Sequence, residues 1–133
     1  HLWHKHARGP DNLRGTIRQK AVFQLYAEGI AVVCAQKFAE DDTLYNQNKK
    51  DDWLLWCGRN EKSVRAEYLS RIEKNESTQD FFGDWCNYKG YSDVGYYLGS
   101  RFIQHLCRKY KWQEVARLPD RIIDAELVDF LKA

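Results

Sequence analysis

The 133-residue chain lacks several features that would assign it to a class of proteins at once. No apolar run approaches the roughly 20 residues that cross a bilayer, so we expect no membrane span. Lysine and arginine number 21 against 19 aspartates and glutamates, and the net charge of +2 gives no basic footprint for nucleic acid. No strand-like alternation of apolar and polar residues persists, and no internal repeat occurs. The expected fold class is therefore all-α.

The four cysteines are too far apart in the sequence to form a Cys-x-x-Cys site. Cys34 and Cys107 fall on apolar helical faces, where a free thiol behaves as a small buried hydrophobe. Scattered free thiols in a domain of this size favour a reducing compartment. On this ground we expect a cytoplasmic location.

Apolar spacing and capping residues predict a compact single domain over residues 1–133, with two long core helices and several short ones. Gly9 and Pro10 end a His-rich helical stretch before the first long helix begins. Gly58 is expected to stop a short helix, because glycine commonly follows the last turn of a helix. The predicted helices are, in order, 13–38, 53–56, 60–74, 93–110, 111–118 and 124–132, with a short turn around residues 81–82.

Glu28 lies in the middle of the apolar stripe of the first long helix. The apolar positions recur at helical spacing on either side of it, at Ala21, Leu25, Val32 and Ala35. A carboxylate on a buried face is costly unless it is paired with a cation, protonated or bound to a metal. Glu28 therefore requires a partner.

Two kinds of partner are available to Glu28 in this sequence. An arginine, such as Arg14 or Arg101, would make it half of a structural ion pair. The His-rich stretch that opens the chain would instead bring His1 and His4 to it, because two helices joined by a short turn pack as an antiparallel hairpin. Histidine nitrogens and a carboxylate together form a zinc-ligand set.

A gluzincin-type zinc site takes two histidines from an HExxH helix and a glutamate from the next helix, and the Glu of the motif is the general base. The 133 residues contain no HExxH. Two ways of matching the histidines of the motif to this chain remain open. His1 is the second histidine of a motif that begins before the chain, which would then be the C-terminal part of a longer metalloprotease domain. Alternatively, His1 and His4 pair at i, i+3, and the general base comes from elsewhere or is missing.

Two segments carry a resemblance to a known family. Residues 24–36 read QLYAEGIAVVCAQ, and residues 93–99 read DVGYYLG. In order and spacing they resemble a family of predicted gluzincin-like zinc metalloproteases. That family carries HExxH, then a Glu in an EG-aliphatic-A segment about one helix later, and then a helix beginning DVGYYLG near the C-terminus. The resemblance covers most of the chain from about Ala21 onward. It implies that zinc is the cofactor, that Glu28 is the third zinc ligand, and that His1 supplies a histidine ligand.

The helix that begins DVGYYLG has two further features. Gly95 and Gly99 leave one helical face without side chains, which favours close packing of another helix and, as the alternative, close approach of a substrate. Tyr96 and Tyr97 are candidate oxyanion stabilisers, because a phenolic hydroxyl can donate to the oxyanion of a tetrahedral intermediate. Core aromatics are the alternative for both. For His105, on the same helix, we expect a structural role.

The sequence thus predicts a zinc-dependent peptide hydrolase domain that acts on a peptide or protein substrate. Two alternatives remain open. One is a non-catalytic module of the same fold, with a degraded site and a role in binding or regulation. The other is a metal-free helical interaction domain in which Glu28 pairs with an arginine.

Overall fold

A computed structural model describes residues 15–45, 52–82 and 88–133. Within these ranges the fold consists of five α-helices and one 3₁₀ helix, with an isolated bridge between Tyr88 and Tyr91 in place of any strand. The helices are α1 (Ile17–Ala39), α2 (Trp53–Glu73), the 3₁₀ helix (Gln79–Phe81), α3 (Val94–Cys107), α4 (Trp112–Val115) and α5 (Asp120–Lys132). The all-α prediction is confirmed. None of the helices in these ranges has the length and apolar character that crossing a membrane requires.

The start of α1 is fixed by a capping box. Gln19 N donates to Thr16 Oγ1 at 3.1 Å, and Thr16 N donates to Gln19 Oε1 at 2.9 Å. The helix ends at Glu40, which adopts the left-handed conformation with φ of 54°. The predicted helix over 13–38 is confirmed from residue 17 onward, and residues 13 and 14 lie outside the described part of the chain.

The centre of the fold is a close crossing of α1 and α3. A Cβ atom added at Gly29 would lie 2.3 Å from the carbonyl oxygen of Gly99, and one added at Gly99 would lie 2.8 Å from that of Leu25. The two backbones therefore touch, which residues with a Cβ atom would prevent. Gly95 meets an aromatic ring instead, because its Cβ would lie 2.5 Å from the ring of Phe82. Close packing of another helix is therefore confirmed at Gly99, whereas at Gly95 the close neighbour is the Phe82 ring.

The second helix is continuous, and the predicted stop at Gly58 is wrong. Gly58 lies exposed inside α2. A glycine in a helix interior costs about 1 kcal/mol relative to alanine, which is too little to end a helix that packs well on both sides of it. The buried face of α2 runs through this point, at Trp53, Cys57, Val64, Tyr68 and Ile72.

The last helix begins four residues before its predicted start at 124. Pro119 precedes it in an extended conformation, with φ of −62° and ψ of 151°, and its carbonyl accepts from the amides of Ile122 and Ile123. Proline suits the start of a helix because its missing N–H has no partner there in any case. The inward face of α5 is formed by Ile123, Glu126, Leu127, Phe130 and Leu131.

Two buried tyrosine hydroxyls join the helices around this core. Tyr68 of α2 donates to the carbonyl oxygen of Ala21 in α1 at 2.8 Å, and Tyr26 of α1 donates to the carbonyl oxygen of Val115 in α4. Burial raises the pKa of Tyr68 well above its ordinary value. Both hydroxyls therefore satisfy buried polar groups between helices.

A buried carboxylate, Glu126, holds α5 against the end of α3. It accepts from Lys109 Nζ at 2.6 Å and from the Tyr110 hydroxyl at 3.1 Å, and it lies 3.3 Å from His105 Nε2. The ring of His105 also packs on Phe130. These contacts agree with the structural role expected for His105.

The positions of two cysteines differ from the prediction. Cys34 and Cys107 are exposed, so the prediction that both are buried is wrong. The residues just before them, Val33 and Leu106, occupy the buried positions. Because successive residues of a helix point about 100° apart, a stripe centred one residue earlier leaves each thiol at the surface.

Candidate metal centre around Glu28

Glu28 lies one residue before Gly29, at the point where α1 crosses α3. The crossing brings the first turn of α3 against its side chain, and the Tyr96 hydroxyl donates to Glu28 Oε2 at 3.4 Å. This distance is long for an O–H···O hydrogen bond, so the bond is weak. The structure thus brings together Glu28 and Tyr96, one from each of the two segments that carry the family resemblance.

The pKa of the Glu28 carboxyl group is raised above its ordinary value. Partial burial is the largest cause, because it disfavours the charged form. The hydrogen bond from Tyr96 lowers the pKa, and the negative charge of Asp93 raises it further. A cation bound at this carboxylate would offset both unfavourable effects.

Asp93 lies at the N-terminus of α3 and is fully buried. Its backbone is in the left-handed region, with φ of 58°, and its side chain makes no capping hydrogen bond to α3. Its carbonyl oxygen accepts from the amide of Tyr96 at 3.1 Å. The predicted start of this helix at residue 93 is confirmed to within one residue, because α3 begins at Val94. The backbone of Asp93 thus contributes one hydrogen bond to the turn on which Tyr96 lies.

Tyr97, the other candidate oxyanion stabiliser, has a different set of neighbours. Its hydroxyl donates to Glu61 Oε1 of α2 at 2.9 Å, and its ring packs on those of Trp53 and Tyr45. Burial and the Glu61 carboxylate raise its pKa well above the ordinary value. Tyr97 is therefore part of the interface between α2 and α3, and the structure does not bring it to Glu28.

Arg101, a proposed ion-pair partner of Glu28, pairs with another carboxylate. Its Nε donates to Glu61 Oε1 at 3.1 Å, and a terminal nitrogen donates to Gln104 Oε1 at 2.7 Å. The Arg101 pairing is thus not the one that satisfies Glu28. Arg14, the other proposed arginine, lies outside the described residues.

The two proposed histidine ligands, His1 and His4, also lie outside the described residues. Within residues 15–45, 52–82 and 88–133, no group of three or more His, Cys, Asp or Glu side chains is arranged to hold a metal ion. Glu28 fits a zinc site as one oxygen ligand, because its carboxylate is partly buried and gains from a positive charge. The described residues alone do not complete a ligand set.

Two residues that support this centre were not identified from the sequence. Gly29 lets α1 approach α3 closely enough for Glu28 to reach Tyr96, and a glycine inside the strongest helical segment was the available signal. Phe82 packs edge-on against the ring of Tyr96, with centroids 5.5 Å apart. Nothing in the sequence pairs Phe82 with Tyr96, because the two residues belong to different elements.

No protein-family model, curated protein or solved structure matches this chain. The relation to gluzincin-like metalloproteases therefore stays a prediction, and it rests on residues 24–36 and 93–99.

Proposed function

We propose that this chain is a zinc-dependent peptide hydrolase domain of gluzincin type, with Glu28 as the carboxylate ligand and Tyr96 beside it. The observation that carries the proposal is the hydrogen bond between these two side chains, which are 68 positions apart in the sequence. The family resemblance assigns their two segments to one centre. The crossing of α1 and α3 at Gly29 and Gly99 supports that assignment, because it brings the segments together.

Each residue of the proposed centre has a defined role. Glu28 contributes one carboxylate oxygen, and His1 and His4 are the proposed nitrogen ligands. Bound zinc would polarise a peptide carbonyl group and make water a better nucleophile at neutral pH. The Tyr96 hydroxyl, 3.4 Å from Glu28 Oε2, is proposed to donate its proton to the oxyanion that develops on the substrate instead of to Glu28. Hydrolysis further requires a general base, and the 133 residues contain no HExxH glutamate to supply it.

A metal-free interaction domain is the second candidate, and one observation favours it. Burial raises the pKa of Glu28, and Tyr96 supplies a hydrogen bond to the same group. A protonated Glu28 is a carboxylic acid that can remain on a half-buried helical face without a cation. A third candidate, a non-catalytic module of the same fold with a degraded site and a role in binding or regulation, would lack cleavage.

Calorimetric titration with zinc separates the metal-binding candidates from the metal-free one. The variants are Glu28→Gln and, as a matched control, Glu73→Gln, which makes the same chemical change at an exposed position. We expect the wild type and the control to bind zinc with equal affinity. Glu28→Gln should weaken binding by more than about 100-fold, since losing even an outer-shell partner of a metal site costs 10–100-fold. A wild-type chain that binds no zinc would favour the metal-free domain.

A second experiment separates the hydrolase from the non-catalytic module. The purified protein is incubated with a broad peptide library, with and without a chelator. Cleavage that the chelator abolishes and added zinc restores supports the hydrolase. Zinc binding without cleavage favours the non-catalytic module.

A further inference from the structure

We propose that Phe82 is a positioning residue of the Glu28 centre: its ring, held by Gly95, fixes the Tyr96 side chain in the place from which the hydroxyl reaches Glu28. The inference rests on the proposed function, because the position of Tyr96 matters to chemistry only if Glu28 lies at the reacting centre. Phe82 is not one of the proposed metal ligands. It acts through Tyr96.

Backbone contacts hold Phe82 in place independently of its ring. Phe82 follows the 3₁₀ helix directly, and its amide donates to the carbonyl oxygen of Gln79 at 3.1 Å. The side chain is almost fully buried, with 4% of its surface exposed. A ring that is closely packed on a fixed backbone has few alternative positions.

Gly95 determines how closely this ring approaches α3. A Cβ atom at position 95 would lie 2.5 Å from both Cε1 and Cζ of Phe82, and 2.8 Å from the carbonyl oxygen of Phe81. The ring therefore occupies the space that a side chain at position 95 would fill. Gly95 immediately precedes Tyr96, so the ring lies against the first turn of α3 beside the tyrosine.

The contact between Phe82 and Tyr96 has the geometry of a specific aromatic pair. The ring centroids are 5.5 Å apart and the ring planes are inclined at 78°, an edge-to-face arrangement. Such pairs contribute orientation as well as buried area. A weak hydrogen bond of 3.4 Å between Tyr96 and Glu28 depends on where the ring lies, because a small change in the χ1 angle of Tyr96 would swing the hydroxyl out of reach.

Phe81 provides a matched control for Phe82. It is the adjacent phenylalanine and is also buried, but its ring packs on Tyr68 and Tyr88 rather than on Tyr96. Replacing either phenylalanine by leucine removes a buried ring from the same segment. Only the change at Phe82 removes the contact with Tyr96.

The test follows the position of the Tyr96 ring by NMR in the metal-free chain, through the nuclear Overhauser effects between its ring protons next to the hydroxyl and the γ-methylene protons of Glu28. The hydrogen bond between the two side chains predicts these effects in the wild type. We expect Phe81→Leu to keep them and Phe82→Leu to lose them. Gly95→Ala, whose Cβ would overlap the Phe82 ring, should act like Phe82→Leu and provides a second variant if Phe82→Leu does not fold.

The outcomes distinguish this inference from the proposed function. If the wild type shows these effects and both Phe82→Leu and Gly95→Ala keep them, the positioning role of Phe82 is overturned and the proposed centre is unaffected. If the wild type shows no effect between Tyr96 and Glu28, the contact that carries the proposed function is absent, and both proposals lose their basis. An equal response to Phe81→Leu would show a general loss of packing and would also overturn the inference.

Discussion

Replacing a glycine at the crossing of α1 and α3 by alanine adds one methyl group where two backbones touch. At Gly29 the new Cβ would lie 2.3 Å from the carbonyl oxygen and 2.6 Å from the carbonyl carbon of Gly99. At Gly99 it would lie 2.8 Å from the carbonyl oxygen of Leu25 and 3.0 Å from the amide nitrogen of Gly29. Because non-bonded atoms settle about 3.5 Å apart, the helices must separate by roughly 1 Å for Gly29→Ala and by roughly 0.5 Å for Gly99→Ala.

The size of the expected effect follows from these distances. Overpacking a close contact costs about 1–3 kcal/mol, occasionally more, while alanine regains about 1 kcal/mol in helix propensity. We therefore expect a net loss of unfolding free energy of about 2 kcal/mol for Gly29→Ala and of about 1 kcal/mol for Gly99→Ala. Gly58→Ala is the control, because its Cβ would meet only the Tyr97 hydroxyl, at 3.8 Å. This variant should gain about 0.5–1 kcal/mol.

Thermal and urea denaturation followed by circular dichroism would measure all three variants. For a chain of this size, 1 kcal/mol corresponds to a shift in Tm of about 3–5 °C. The expected order of Tm is Gly29→Ala, Gly99→Ala, wild type and Gly58→Ala, from lowest to highest. A Gly29→Ala protein as stable as the wild type would refute the close crossing. So would a Gly58→Ala protein that loses as much stability as Gly29→Ala.

Three further predictions concern polar groups. Burial alone would raise the pKa of Glu126, but the hydrogen bonds it accepts from Lys109 and others hold that pKa below its ordinary value. Glu126→Gln should therefore cost about 2 kcal/mol at pH 7, and urea titrations should find this cost shrinking as the pH falls below about 4.5. Tyr68→Phe removes the buried donor to the Ala21 carbonyl and should cost about 1 kcal/mol in urea denaturation. The pKa of Glu28 is raised in the fold, so its contribution to stability is full at low pH and is lost as the pH rises. Metal-free Glu28→Gln should thus match the wild type near pH 4 and exceed its stability at pH 7, and equal stability at both pH values would contradict the partial burial of Glu28.

Helices were predicted correctly from the sequence where the spacing of apolar residues alone determines them. The spacing of apolar residues predicted α1 and α3, because each buries a stripe of a single period. Local signals failed where packing outweighs them. Gly58 is a common helix stop, yet the buried face of α2 continues past it and the helix with it. Whether Cys34 and Cys107 are buried depends on the exact rotation of each helix about its axis. The spacing of apolar residues fixes that rotation only to within about one residue.

One part of the candidate centre could be predicted from local sequence, and the other part depends on tertiary packing. Glu28 was identified from the cost of a carboxylate in an apolar stripe, which is a local argument. A local argument could not predict which of Tyr96 and Tyr97 faces Glu28. The two are adjacent residues of the same type, and they point about 100° apart on the helix, so only the tertiary packing of the helix decides between them. The crossing of α1 and α3 brings Tyr96 to Glu28 and Tyr97 to Glu61. That crossing depends on Gly29 and Gly99, which are far apart in the chain.

The central claim, that Glu28 is a metal ligand, is tested most directly by the zinc content of the purified full chain. The protein is equilibrated with excess zinc, dialysed against buffer without chelator, and analysed for metal per chain. The proposed centre predicts one equivalent of zinc in the wild type and in Glu73→Gln, and almost none in Glu28→Gln. A wild-type chain without zinc, or a Glu28→Gln chain that retains as much zinc as the wild type, would contradict the claim.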